Sequence, residues 1–341
     1  MDQKPETPSL PLITRFKLWL VTILTNAGIR PDGTLNRRFR NLVDFKSPAN
    51  ITPIQGVKSY DVSIDPDRNL WFRVFVPDVS IDTPLPVIVY YHGGGFAFYS
   101  PDSSPFDGLC CRFASNVPAV VVSASYRLTP ENRFPSQYDD GIDVLKFLDE
   151  DQSHKSLPDN ADMRRCFVSG DSAGGNLAHH VCVRASQNSF QQLKVIGLVA
   201  LQPFFGGEER TPSELSPENS RGLELNQTDI YWNLFKPLSL LSDEEWDRDN
   251  EVINVSGPRA ADISELNFPK TLVVVGGRDI LLDRQMNYYD WLKKSGKAAC
   301  LKEYPYMFHG FYAFTELEEA IHVISVVRDF VLNTSREWQE H

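Results

Sequence analysis

Long apolar runs are missing from this 341-residue chain. The most apolar N-terminal stretch, Leu18 to Ile29, spans 12 residues and carries Thr and Asn, short of the ~20 a membrane-spanning helix needs. It also lacks the small-residue cleavage site of a secretory leader, so neither an anchor nor a signal peptide is expected. Basic charge is in deficit: 34 Lys and Arg against 45 Asp and Glu leave a net charge of −11. Nucleic acid and anionic membrane surfaces bind basic patches, so neither is expected as a partner. Cysteine is scarce, with five residues at no framework spacing. Cys110 and Cys111 are adjacent, and Cys166, Cys182 and Cys300 lie in apolar surroundings, so buried reduced thiols are expected. That suits a reducing compartment, the cytoplasm or also the nucleus. The Asn-x-Ser/Thr sequons at Asn50, Asn226, Asn254 and Asn333 then read as chance matches. There is no His-Glu-x-x-His motif, no Cys/His pair at zinc spacing, no phosphate loop and no dinucleotide fingerprint. No metal and no cofactor are expected.

What is present is an ordinary globular composition, 42% hydrophobic and 23% charged, enough for one large domain over residues 1–341. Residues 1–10 are polar and proline-bearing, and disorder is expected there. From Leu12 to Asn26, Leu12, Ile13, Phe16, Leu20, Ile23 and Leu24 recur at helical spacing; this amphipathic helix either packs on the body or covers a pocket. A turn and a basic stretch, Arg37 to Arg40, follow. Val57 to Ile64 and Leu70 to Val76 alternate apolar and polar residues as half-exposed antiparallel strands do. Near-continuous apolar runs come next: Val87–Tyr91, Ala119–Ser123, Cys166–Ser169, Val195–Leu201 and Thr271–Val275. Helical patterns such as Gln137–Leu148 and Asn176–Ala185 separate most of them, and Ala299–Tyr304 with a helix near 316–332 closes the chain. Strand–helix alternation of this kind specifies an α/β fold with a mostly parallel, eight-stranded sheet flanked by helices. Roughly 65 residues between Gln202 and Thr271 exceed any ordinary connection. They read as an inserted cap, with a helix near Thr228–Phe235.

The chemistry sits at the ends of the apolar runs. Gly170-Asp-Ser172-Ala-Gly174 follows one run and precedes a helix, the setting in which a strained turn exposes a nucleophilic serine hydroxyl. His92-Gly93-Gly94-Gly95 follows another, where Gly94, Gly95 and the residue after the serine, Ala173, can offer backbone N–H groups to an oxyanion. Seven histidines exist, at 92, 154, 179, 180, 309, 322 and 341. Only His309, after the last strand, fits the chain order serine, acid, base. Asp279, just beyond Thr271–Val275, is the expected acid, with Asp283 as runner-up. Such a carboxylate fixes the imidazole tautomer and stabilises the imidazolium. His92 reads as a structural hydrogen bonder. Phe96, Phe98, Tyr231, Trp232, Phe311 and the helix Leu12–Leu24 are candidates for an apolar substrate pocket.

With these motifs in place, the chain resembles the plant carboxylesterases of the hormone-sensitive-lipase-like family of α/β-hydrolases. The residues that carry the likeness are Arg30-Pro-Asp-Gly-Thr-Leu-Asn-Arg-Arg-Phe39, His92-Gly-Gly-Gly-Phe-Ala97, Tyr126-Arg-Leu-Thr-Pro-Glu131, Tyr138-Asp-Asp-Gly141, Gly170-Asp-Ser-Ala-Gly-Gly-Asn176 and Phe205-Gly-Gly-Glu-Glu-Arg-Thr211. Thr129 stands where the family usually has alanine. The resemblance implies an oxyanion hole at Gly94, Gly95 and Ala173 beside Gly93, a cap from about 10–50 plus about 206–265, and a structural ion pair between Arg127 and Glu131. It implies hydrolysis of a small-molecule ester by a monomer or weak homodimer. The family also contains the gibberellin receptor, which carries an aliphatic residue in place of the triad histidine; His309 therefore favours an enzyme over a hormone-binding module. A triad enzyme with a non-hydrolytic outcome (lyase, cyclase or acyltransferase) is the other alternative.

Overall fold

The computed structural model describes residues 10–80, 83–150, 156–239 and 246–340. The disorder expected before Leu10, together with His154 and His341, lies outside these residues. Eight strands form one sheet: β1 (Val57–Asp65), β2 (Leu70–Pro77), β3 (Leu85–Tyr91), β4 (Val120–Ala124), β5 (Ala161–Asp171), β6 (Val195–Leu201), β7 (Lys270–Gly276) and β8 (Ala299–Tyr304). The helices among the described residues are α1 (Leu12–Ala27), α2 (Arg37–Val43), α3 (Ser104–Asn116), α4 (Ser136–Glu150), α5 (Ala173–Ser186), α6 (Pro212–Leu215), α7 (Leu225–Phe235), α8 (Leu282–Lys294) and α9 (Glu318–Gln339). None of them is long and apolar enough to cross a membrane.

The strand order is β1-β2-β4-β3-β5-β6-β7-β8. β2 pairs antiparallel with both β1 and β4, and every other pairing is parallel. Every residue of β3 and β4 is buried, because the pleat sends alternate side chains into two separate cores. Val87, Val89, Tyr91, Val120 and Val122 face one core, while Ile88, Tyr90 and Val121 face the other. Helices α4, α5 and α8 cover the first face, and α3 and α9 the second. Strand β1, at an edge, keeps the alternation of buried and exposed residues that its sequence shows.

All five cysteines are free. Cys300 is exposed, against expectation, because it sits on the edge strand β8, whose outer face no helix fully covers. From β3 the chain moves outward to β4, then returns past β3 to form β5. The crevice beyond the C-terminal ends of β3 and β5 is therefore a topological switch point, where open α/β sheets place their ligands. His92-Gly-Gly-Gly leaves β3 there, and Ser172 leaves β5.

Candidate active site

Ser172 is a single residue between β5 and α5, held at φ 52°, ψ −120°. A positive φ is costly for a residue with a Cβ, so surrounding structure must impose it. Its N–H donates to Leu201 O at 2.9 Å, and its carbonyl accepts from Gly175 N at 2.9 Å and Phe204 N at 2.8 Å. The flanking glycines are steric necessities: a Cβ on Gly174 would lie 2.0 Å from Tyr91 O, and one on Gly170 would lie 2.1 Å from Gly174 O.

The three residues named from chain order meet. His309 Nε2 is 2.9 Å from Ser172 Oγ, and its Nδ1 is 2.8 Å from Asp279 Oδ2. With Nδ1–H donating to the carboxylate, Nε2 is left to accept the serine proton. Asp279 is fully buried and surrounded by donors. Leu281 N–H donates to Oδ1 at 2.9 Å, and the amides of Gln202 and Gln285 donate to Oδ2 at 2.9 and 3.0 Å. Gln202 also accepts from Gly310 N–H at 2.8 Å, tying the histidine loop to the acid. Neither glutamine was foreseen. The available signal was a polar residue closing the apolar run of β6. Asp283, the runner-up acid, instead accepts from Ser213 N–H at 2.7 Å and anchors α6.

Burial works against a charge on His309, but the Asp279 carboxylate beside it, its hydrogen bond and the more distant Asp171 outweigh burial and raise its pKa above 6.5. A base must be neutral to act, so kcat/KM should rise with pH through an inflection above the ordinary imidazole value. A pH profile on a neutral ester measures this. An inflection well below 6.5 would contradict the arrangement.

The glycine loop sits over the serine turn. Gly93 N–H donates to Asp171 Oδ1 at 2.8 Å, so Gly93 is removed from the set of oxyanion donors: its only N–H is already committed. The N–H groups of Gly94, Gly95 and Ala173 meet no acceptor among the described residues. Gly94 and Gly95 adopt φ of 108° and 61°, open to glycine. Asp171 also accepts from Tyr90 and from Tyr312, the latter at 2.8 Å. Burial raises its pKa, partly offset by those three donors. It is thus the post to which the glycine loop is fastened. His92 is fully buried, stacked on Tyr126 at 4.4 Å and held by burial at a pKa of about 4, a neutral structural residue.

A cavity of about 520 Å³ opens over Ser172 and His309. Of the aromatic candidates, Phe98 and Tyr231 line it. Phe96, Trp232 and Phe311 do not. Phe96 stacks on Phe235 at 4.4 Å, Trp232 on Phe204 at 4.2 Å, and Phe311 packs on Tyr304 at 4.9 Å. All three are core residues, because ring-on-ring burial consumes their faces. Helix α1 does cover the cavity, but only through Leu18, Leu20, Val21 and neighbouring polar positions, while Leu12, Ile13 and Phe16 face outward. Thr14 Oγ1 and Lys17 Nζ hold α1 down by bonding Glu316 at 3.0 and 2.9 Å. The expected Arg127–Glu131 pair does not form. Arg127 pairs with buried Asp140 at 2.9 Å, and Glu131 with Arg37 of α2 at 2.6 Å. Helices α4 and α2 supply nearer partners than the ones four residues apart in sequence.

Residues 88–313 match the sequence profile of a family with the alpha/beta hydrolase fold. The chain belongs to that α/β-hydrolase family. A gibberellin receptor of Arabidopsis thaliana is 40% identical to this chain over 314 residues, covering 88% of this chain and 87% of the receptor. Carboxylesterase 20 of the same plant is 33% identical over 274 residues, 78% of this chain and 83% of that one. A 3-O-acetylpapaveroxine carboxylesterase of Papaver somniferum is 34% identical over 277 residues, 78% of this chain and 82% of the relative. Among solved structures, a hyperthermophilic esterase from Pyrobaculum calidifontis superposes with a TM-score of 0.73 at 27% identity, over 97% of this chain and 100% of that one. These likenesses place the chain among plant relatives of the hormone-sensitive-lipase-like type, carboxylesterases and gibberellin receptors alike.

Proposed function

We propose that the protein is a serine carboxylesterase that hydrolyses small carboxylic esters through an acyl-enzyme on Ser172. The observation that carries this reading is the unbroken chain Ser172–His309–Asp279 at 2.9 and 2.8 Å. Ser172 Oγ attacks the ester carbonyl while His309 Nε2 takes its proton. The resulting oxyanion is held by the free N–H groups of Gly94, Gly95 and Ala173. His309 returns the proton to the leaving alcohol, then draws one from water to release the acid. Asp279 holds the Nδ1 tautomer and the transient imidazolium throughout. In this reading α1, α2 and the insertion containing α6 and α7 serve as a cap that shields the acyl-enzyme.

Mixing the protein with excess p-nitrophenyl acetate should release one equivalent of p-nitrophenol per chain in a burst, followed by steady turnover. The 40% identity to a gibberellin receptor favours a second reading, a hormone-binding module. It predicts gibberellin binding with no ester turnover. Absence of both burst and turnover, with tight gibberellin binding, would replace the first reading by the second.

A further inference from the structure

We propose that the cavity selects esters carrying a carboxylate, and that Arg40 is the residue that recognises it. Arg40 lies in the basic stretch that α2 turns inward. Arg38 is exposed, whereas Arg40 is 6% exposed and lines the cavity that holds Ser172 and His309. Its stem passes beneath the end of α1, where only glycine fits: a Cβ on Gly28 would lie 2.2 Å from Arg40 Cδ. Its guanidinium carbon lies over the Phe98 ring, 4.0 Å from the centroid, and 5.5 Å from that of Tyr99. Phe98 N–H donates to Gly94 O at 3.1 Å, so the cation sits one side chain away from the glycine loop.

The cation has almost nothing to bind. Its one side-chain hydrogen bond among the described residues is a long one, Nη1 to Leu24 O at 3.4 Å. That contact is a helix C-terminal cap and uses one of five donors. No carboxylate of the described residues lies within ion-pair distance of it, although the chain has an excess of acids. The other basic residues nearby are satisfied: Lys17, also at the cavity, pairs with Glu316 at 2.9 Å. Arg37 on the same helix binds Glu131, Ala97 O and Thr129 O. A planar guanidinium withdrawn from water and left without an anion is costly unless a ligand completes it, and its fork matches a carboxylate. The remaining wall, with Leu18, Val21, Leu109 and Phe98, suits a hydrocarbon body between that carboxylate and the ester carbonyl. Packing on Phe98 alone would not require a charged group there.

The kinetic form of the test rests on the esterase reading. Paired substrates carry either a carboxylate or an alkyl group at the same place: p-nitrophenyl glutarate monoester against p-nitrophenyl pentanoate, and 3-acetoxyphenylacetate against 3-propylphenyl acetate, each corrected for uncatalysed hydrolysis. In the wild-type protein the anionic member of at least one pair should have the higher kcat/KM. In Arg40→Met that anionic-to-neutral ratio should fall about tenfold to a hundredfold, the worth of one charge-assisted hydrogen-bonded pair, and Arg40→Lys should retain part of it. Thermal unfolding checks that both variants are folded. Ratios below one for both pairs in the wild type, or an unchanged ratio in a folded Arg40→Met, overturn the proposal. If no ester is turned over, the esterase reading fails by itself. Calorimetric binding of 4-phenylbutyrate against 4-phenylbutanol then decides Arg40, with tenfold weaker carboxylate binding in Arg40→Met supporting it and equal binding overturning it.

Discussion

Ser172→Ala should reduce kcat for a neutral p-nitrophenyl ester by about 10⁶-fold, to the residual rate that binding and oxyanion donors alone sustain. No neighbouring hydroxyl can stand in, because the positive-φ turn presents only this side chain to His309 Nε2. The substitution removes one oxygen and leaves Gly170 and Gly174 to keep the turn. The variant should therefore fold, with thermal unfolding within a few degrees of wild type. It should also lose the stoichiometric burst. Turnover comparable to wild type in the purified variant would refute Ser172 as nucleophile and the acyl-enzyme with it.

Asp279→Asn should lower kcat/KM by about 10⁴-fold, the effect expected when the histidine loses its tautomer-fixing acceptor. The surroundings make this exchange worse than a simple loss of charge. His309 Nδ1, Gln202 Nε2 and Gln285 Nε2 all approach Oδ2, and Leu281 N–H approaches Oδ1. Every partner with a fixed role is a donor, so the amide NH₂ meets an N–H group in either orientation. Leaving such buried groups unmatched costs about 1–3 kcal/mol each, and a lower unfolding temperature should accompany the lost activity. The residual activity carries a further signature. Asp279 is the chief influence raising the His309 pKa against burial, so the kcat/KM inflection should move to lower pH in the variant. Near-normal activity with an unmoved inflection would show that another acid serves His309.

The Ser172 turn was readable because its constraints are mostly on residue type close by in the chain. A serine turn between strand and helix needs glycines two residues to either side: a Cβ on Gly170 would meet Gly174 O within the same pentapeptide, and one on Gly174 would meet Tyr91 O at the end of the neighbouring strand β3. His309 and Asp279 were found through chain order, which the parallel sheet converts into position: each follows its own strand, and those strand ends converge. The near-continuous apolar runs identified the buried strands because two cores, one on each face, consume every side chain.

The pocket was not readable in this way. Phe96 and Trp232 have the same composition signal as Phe98 and Tyr231, yet the first pair is spent on ring stacking and the second faces the cavity. The Arg127–Glu131 expectation failed for a related reason, since proximity in sequence is a poor guide to partners when helices such as α4 and α2 bring Asp140 and Arg37 closer. Cys300 is exposed because an edge strand has an uncovered face, which an apolar run does not reveal.

The sequence by itself determined an α/β-hydrolase sheet with Ser172, Asp279 and His309 at its strand ends, because strand burial and the serine turn are short-range demands on residue type. Only the tertiary structure decided that Gly93 is committed to Asp171, that Gln202 and Gln285 brace the acid, and that Arg40 rather than Arg38 turns into the cavity. Those outcomes depend on contacts between segments far apart in the chain, such as Thr14 with Glu316. They are fixed by which face of each helix the completed fold leaves over the site.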